Sequence, residues 1–126
     1  MRLALLPITL ILLLNGCTDK GTAVDYRSEM RGFVQGISAK ARALRPGFIV
    51  IPQNGEQLLT TDGNATGTAV GAYINAIDGI GREDLNFGYD GDDVATADAD
   101  RLPMQAMMER ARNLGLKVLV TDYCSS

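Results

Sequence analysis

Glu83 and Asp84 close an apolar stretch, Ala76-Ile77-Asp78-Gly79-Ile80-Gly81-Arg82-Glu83-Asp84, and adjacent carboxylates at such a place can carry acid–base work. Two other runs share the design. Phe48-Ile49-Val50-Ile51 leads through Pro52 into the amides of Gln53 and Asn54, and Lys117-Val118-Leu119-Val120-Thr121 leads into Asp122 and Tyr123. If the three run ends meet, they form a polar, acidic site that reads hydroxyls and amides. The chain has no histidine, so Ser-His-Asp and Cys-His catalysis are excluded. Zinc sites of the usual His/Cys kind are also excluded in practice, because only two cysteines remain. Acid–base chemistry must come from Asp, Glu, Tyr or Lys.

Continuous apolar runs of this length suit strands buried on both faces of a parallel sheet, where ligands bind at the carboxyl ends. Helical patterns separate them. Met30, Phe33, Val34, Ile37, Ala41 and Leu44 recur at helical spacing. They predict a core-facing helix that starts near Thr22-Ala23-Val24-Asp25, with capping-box spacing, and stops at Arg45 before Pro46-Gly47. A second helix is predicted from Thr68 to Ala76, burying Val70, Tyr73, Ile74 and Ile77, and residues 56–67 read as a polar loop. A third helix is predicted to be capped by Asp100, with Pro103 in its first turn. Met104, Met107, Met108, Ala111 and Leu114 line one of its faces, and Gly115 ends it. The order α-β-α-β-α-β with short connections defines an α/β chain with a parallel sheet.

The chain is 126 residues long, 46% hydrophobic and of net charge −3, which suits one small packed domain and argues against nucleic-acid binding. Gly79-Ile80-Gly81 lacks the third glycine of a dinucleotide fingerprint, and there is no Walker lysine. The acids of Asp90-Gly91-Asp92-Asp93 lack the spacing and terminal Glu of a calcium loop, so neither metal nor cofactor is expected. Arg2 followed by the apolar run Leu3–Leu14 reads as an export signal too short to span a bilayer. Leu14-Asn15-Gly16-Cys17 resembles a bacterial lipobox, which implies lipid attachment at Cys17 and, in a two-membrane cell, the outer membrane. The division is then 1–17 signal and lipobox, 18–24 linker and 25–126 folded domain. Cys124 would be left as a lone thiol, half-buried at a strand end.

Four blocks occur in a fixed order: Asp25-Tyr26-Arg27-Ser28-Glu29-Met30, Phe48 to Gly55, Ala76 to Asp84, and Val120-Thr121-Asp122-Tyr123-Cys124. The ordered run, covering about residues 22–124, resembles the glycoside hydrolase family 114 TIM barrels. These are of the endo-α-1,4-polygalactosaminidase type, and some relatives are described as extracellular cysteinyl-tRNA synthetase-related proteins. The resemblance implies a partial (β/α)8 barrel of about three βα units, because a whole barrel takes about 250 residues. It implies a truncated member of a secreted family acting on amino-sugar polysaccharide. Glu83 would be the catalytic acid/base, and Gln53, Asn54, Asp122 and Tyr123 would hold the sugar. Asp84, on the opposite face of the strand, is the weaker candidate. The alternative for Glu83 is a surface acid paired with Arg82. Glycosidases of this kind use two carboxylates, and the partner carboxylate has no counterpart in this chain. Two other readings stand beside this one: a non-catalytic carbohydrate- or partner-binding lipoprotein, and a small flavodoxin-like lipoprotein. Three strands with open edges also predict self-association.

Overall fold

The computed structural model describes residues 24–125, so the signal run, Thr22 and Cys17 lie outside the described residues. The described part is mixed α/β, with three α-helices, one 3-10 helix and a two-stranded parallel sheet. Helix α1 spans Tyr26–Leu44. Asp25 is its N-cap, with Oδ1 accepting from the N–H of Arg27 and Ser28, both at 3.1 Å. This corrects the expected capping box, which placed Asp25 inside the first turn. A 3-10 helix covers Glu56–Leu59, α2 is the single turn Gly71–Ile74, and β1 is Gly79–Glu83. Helix α3 spans Asp98–Asn113, and β2 is Lys117–Thr121. The two strands pair in parallel, from Gly79 opposite Lys117 to Glu83 opposite Thr121.

The run from Phe48 was expected to be a third strand. It lies extended beside β1 but makes only one bridge, between Gln53 and Gly81. Asn54 N–H donates to Gly81 O and Gly81 N–H to Pro52 O, as in a parallel ladder. One more backbone bond, from Asp78 N–H to Val50 O (2.8 Å), joins the run, but no second bridge forms, for two reasons. Pro52 has no N–H to give. The Val50 N–H donates to the Asp78 carboxylate (2.7 Å) rather than to a strand carbonyl. Backbone hydrogen bonding from Val50 and strong pairing with Arg42 (2.8 Å) hold the Asp78 carboxyl below its ordinary value. Asp78 therefore stands outside β1 and ties α1 to the extended run.

The core gathers Leu59, Tyr73, Ile77, Ile80, Met107, Met108, Ala111 and Leu116, with Val34, Val50, Ile74, Leu114 and Val118 packed at its edge. Met107, Met108 and Ala111 form the buried face of α3 as its spacing implied, and Gly115 takes the left-handed φ of +84° that ends the helix. Asp100 does not cap α3: the cap is Ala97, and Asp100 sits in the first turn, where a carboxylate still favours the helix dipole. Pro103 consequently falls a turn deeper than expected. The segment expected to be a plain polar loop supplies Leu59, fully buried, and an antiparallel bridge between Thr60 and Ala69. The second helix is shorter than the range 68–76, although Tyr73 and Ile77 are buried as expected.

The largest departure concerns α1. Its apolar stripe was expected to be core, yet Met30, Phe33, Ile37 and Leu44 are exposed, and only Val34 joins the core edge. The inward face is polar. Ser38 is buried there. Arg31 donates to Leu58 O (2.9 Å) and Thr60 O (2.5 Å), and Arg42 reaches Phe48 O, Asn75 O and Asp78. The sheet is likewise covered on one side only. Val118 packs into the core, while Leu119, opposite Gly81, is exposed together with Ile49 and Ile51. Cys124, expected to be half-buried, is exposed.

Candidate functional site

At the end of β1 the strand alternation sends Arg82 and Glu83 to opposite faces. Arg82 goes inward to Glu56, with Nη1 to Oε1 at 2.9 Å, so it is not the partner of Glu83. Glu83 turns to the uncovered face, where the ends of the two flanking segments meet it. Asn54 clamps it twice. Its Nδ2 donates to Glu83 Oε2 (2.9 Å), and its Oδ1 accepts from the Glu83 N–H (3.0 Å). Asn54 adopts a left-handed φ of +53°, which Asn tolerates better than most residues. From the other side, the Tyr123 hydroxyl donates to Glu83 Oε1 at 2.5 Å.

Tyr123 is held by its own surroundings. Its N–H donates to Phe87 O, its carbonyl accepts from Asp93 N–H, and its ring lies over Gly88. Gly88 has φ +116°, and a Cβ there would stand 2.6 Å from Asp84 Oδ1 and 3.1 Å from the Tyr123 ring. Only glycine fits.

The hydrogen bond from Tyr123, followed by those from Gln53 and Asn54, holds the Glu83 carboxyl below its ordinary value of 4.5. The Asn54 and Tyr123 contacts have full hydrogen-bond geometry, and Gln53 makes a looser approach. The same pairing pushes the Tyr123 phenol up, so it stays a donor. A general acid needs its carboxyl raised, and the shift at Glu83 runs the other way. Glu83 sits among donors at an open surface, and the arrangement keeps it ionised.

The five site residues expected from the sequence therefore divide. Gln53, Asn54, Glu83 and Tyr123 converge. Asp122 does not: Oδ1 accepts from the N–H of Asn86 (2.7 Å) and Phe87 (3.2 Å), and Oδ2 from Asn86 Nδ2 (2.7 Å). Burial works to raise its pKa, and these bonds from Asn86 and Phe87 outweigh it, leaving the carboxyl lowered. Asp122 organises the loop after β1, and its acceptors are engaged. Asp84 holds the turn through its backbone, while its side-chain Oδ1 is buried without a hydrogen-bond partner. It takes φ +58°, donates its N–H to Thr121 O and accepts from Thr96 Oγ1 through its carbonyl (2.8 Å).

Sequence reasoning missed the Glu56–Arg82 pair beneath this site. Its signal was an acid and a base flanking the two clamp residues, Asn54 and Glu83. Among the described residues no group of three Asp, Glu, Cys or His side chains is placed to hold a metal ion. The arrangement is thus an ionised carboxylate with amide and phenol donors at the ends of parallel segments in an α/β unit. Neither a protein-family model nor a curated protein matches the sequence.

Proposed function

We propose that this chain is part of a secreted glycoside-hydrolase-type barrel and that it holds an amino-sugar polysaccharide at Glu83. The observation that carries the reading is the convergence of Gln53, Asn54 and Tyr123 on Glu83 at neighbouring segment ends. An ionised carboxylate beside amide and phenol groups suits a sugar with a protonated amine and hydroxyls: the carboxylate takes the amine, and the neutral groups take the hydroxyls. The apolar side of the sheet, with Ile49, Ile51 and Leu119 exposed, supports the barrel part of the reading, since the inner wall of a barrel is such a surface.

The geometry favours binding over turnover by this chain alone. Hydrolysis of a glycoside needs an acid on one side of the bond and a base or nucleophile on the other. Glu83 is held ionised and suits the second role, whereas the Asp122 carboxylate is engaged by Asn86 and Phe87 and the Asp84 Oδ1 is buried away from the open surface, without a hydrogen-bond partner. A protonated acid would have to come from another segment. We also propose export and lipid attachment at Cys17, on the strength of the lipobox-like run. Replacing Cys17 with Ala should abolish fatty-acid labelling and change membrane fractionation, and equal behaviour of both forms would count against it.

The binding test uses the full chain titrated with galactosamine oligosaccharides by calorimetry. Glu83→Gln should weaken binding at least about tenfold, the scale of one charge-assisted hydrogen bond. N-acetylation of the sugar should weaken it as well. Release of reducing ends by the chain alone, or equal binding by the Gln variant, would sink the reading.

A further inference from the structure

We propose that the outward apolar stripe of α1 lies on a lipid bilayer surface, at the boundary of headgroups and acyl chains. Tyr26, Met30, Phe33, Ile37 and Leu44 fall within one narrow sector of the helix at about 100° per residue. All five are exposed, Tyr26 and Leu44 by more than three quarters. The helix packs on the rest of the molecule through a different sector, by way of Val34, Ser38 and the guanidinium groups of Arg31 and Arg42. This inverts the usual arrangement, in which the apolar stripe faces the core.

Two observations identify the occupant. The first is where the described chain begins. Val24 adjoins the N-cap of α1, and residues 18–24 reach at most about 25 Å from Cys17 when fully extended. With Cys17 lipid-modified, which the inference takes from the reading above, α1 is the first described element after the anchor. The second is charge. Lys40 sits beside the stripe and Arg45 at its end. Both are exposed, and neither makes an ion pair among the described residues, whereas Arg42 is paired with Asp78. Glu29 is the helix's only acid in a chain of net charge −3, and acids instead crowd the loop after β1 at Asp90, Asp92 and Asp93. A basic helix with an aromatic and aliphatic stripe suits an interface with anionic headgroups. The long Lys40 and Arg45 side chains can keep their charges in water while the stripe is buried.

The test uses full-length protein processed in cells and purified from membranes, with exposed Cys124 replaced by Ser. Spin labels are placed singly through Phe33→Cys, Ile37→Cys and, as a control on exposed α3 surface, Leu102→Cys. Each protein is reconstituted in mixed phosphatidylcholine and phosphatidylglycerol vesicles. The proposal expects labels at 33 and 37 to be several-fold more accessible to oxygen, relative to a polar nickel chelate, than the label at 102. It also expects hydrogen exchange along α1 of the unlabelled protein to slow when vesicles are present. Labels at 33 and 37 as wet as that at 102 would overturn it. So would spin–spin broadening at 33 that vanishes on dilution with unlabelled protein, the sign of a second copy. The mass of the mature chain separates the two failures. An unmodified Cys17 overturns the attachment and this inference together; a modified Cys17 with wet labels overturns this inference alone.

Discussion

The Glu56–Arg82 ion pair offers the sharpest perturbation. Its side chains are only 5% and 13% exposed, and Glu56 Oε2 and Arg82 Nε have no partner beyond the 2.9 Å contact. Removing one charge strands the other in the interior, which costs about 3–5 kcal/mol. A domain of this size has a total stability of about 5–15 kcal/mol, so Glu56→Gln should remove about a fifth or more of it. With a urea m-value of about 1–1.5 kcal/mol/M, the midpoint should fall by about 2–5 M. Replacing both partners, as Glu56→Leu with Arg82→Met, removes the stranded charge and should cost about 1 kcal/mol or less. The chain has no tryptophan, so the transition is followed by far-ultraviolet circular dichroism. The reasoning is refuted if Glu56→Gln moves the midpoint by under about 0.5 M, or if the double replacement costs as much as the two single changes added together.

Leu59 is fully buried, and Leu59→Ala should cost about 2–5 kcal/mol in the same assay, despite lying in a segment whose composition reads as loop. Gly88→Ala should destabilise by about 2 kcal/mol or more, because it combines positive φ with contacts to Asp84 and Tyr123, and should loosen Tyr123 as judged by its aromatic proton line widths. Glu83 has its folded pKa below the ordinary 4.5, so the native state binds its proton less readily than the unfolded chain. Its contribution to stability is present above that ordinary value and is lost as pH falls through the depressed one. Glu83→Gln should therefore flatten part of the acid limb of the stability profile and leave the neutral region less changed.

Helix α3, strand β2 and the Gly115 stop were legible in the sequence because each is specified locally: a Met-rich stripe, a short apolar run rich in β-branched residues and a residue free to take positive φ. Periodicity also located α1, but it shows which residues share a face and not which face is packed. Arg31 and Arg42 reverse that choice by reaching carbonyls far away in sequence, from Leu58 to Asn75. The run Phe48–Ile51 has the composition of a strand, yet Pro52 and the long-range acceptor Asp78 interrupt its ladder. At the site, Glu83 and its three neutral neighbours could be read from their places at run ends. The role of Asp122 could not, because an acid after a strand serves equally well for a ligand or for the next loop, and only the closeness of Asn86 and Phe87 decides.

The account rests on Glu83 being an ionised carboxylate gripped by Tyr123 and Asn54. Carbon-detected NMR titration of the Glu side-chain carboxyls, with Glu83 assigned by Glu83→Gln, measures this directly. The predicted result is a Glu83 titration below 4.5 that moves back toward that value in Tyr123→Phe and in Asn54→Gly. A Glu83 that titrates at or above 4.5 in the unaltered chain, or that ignores both substitutions, would contradict it.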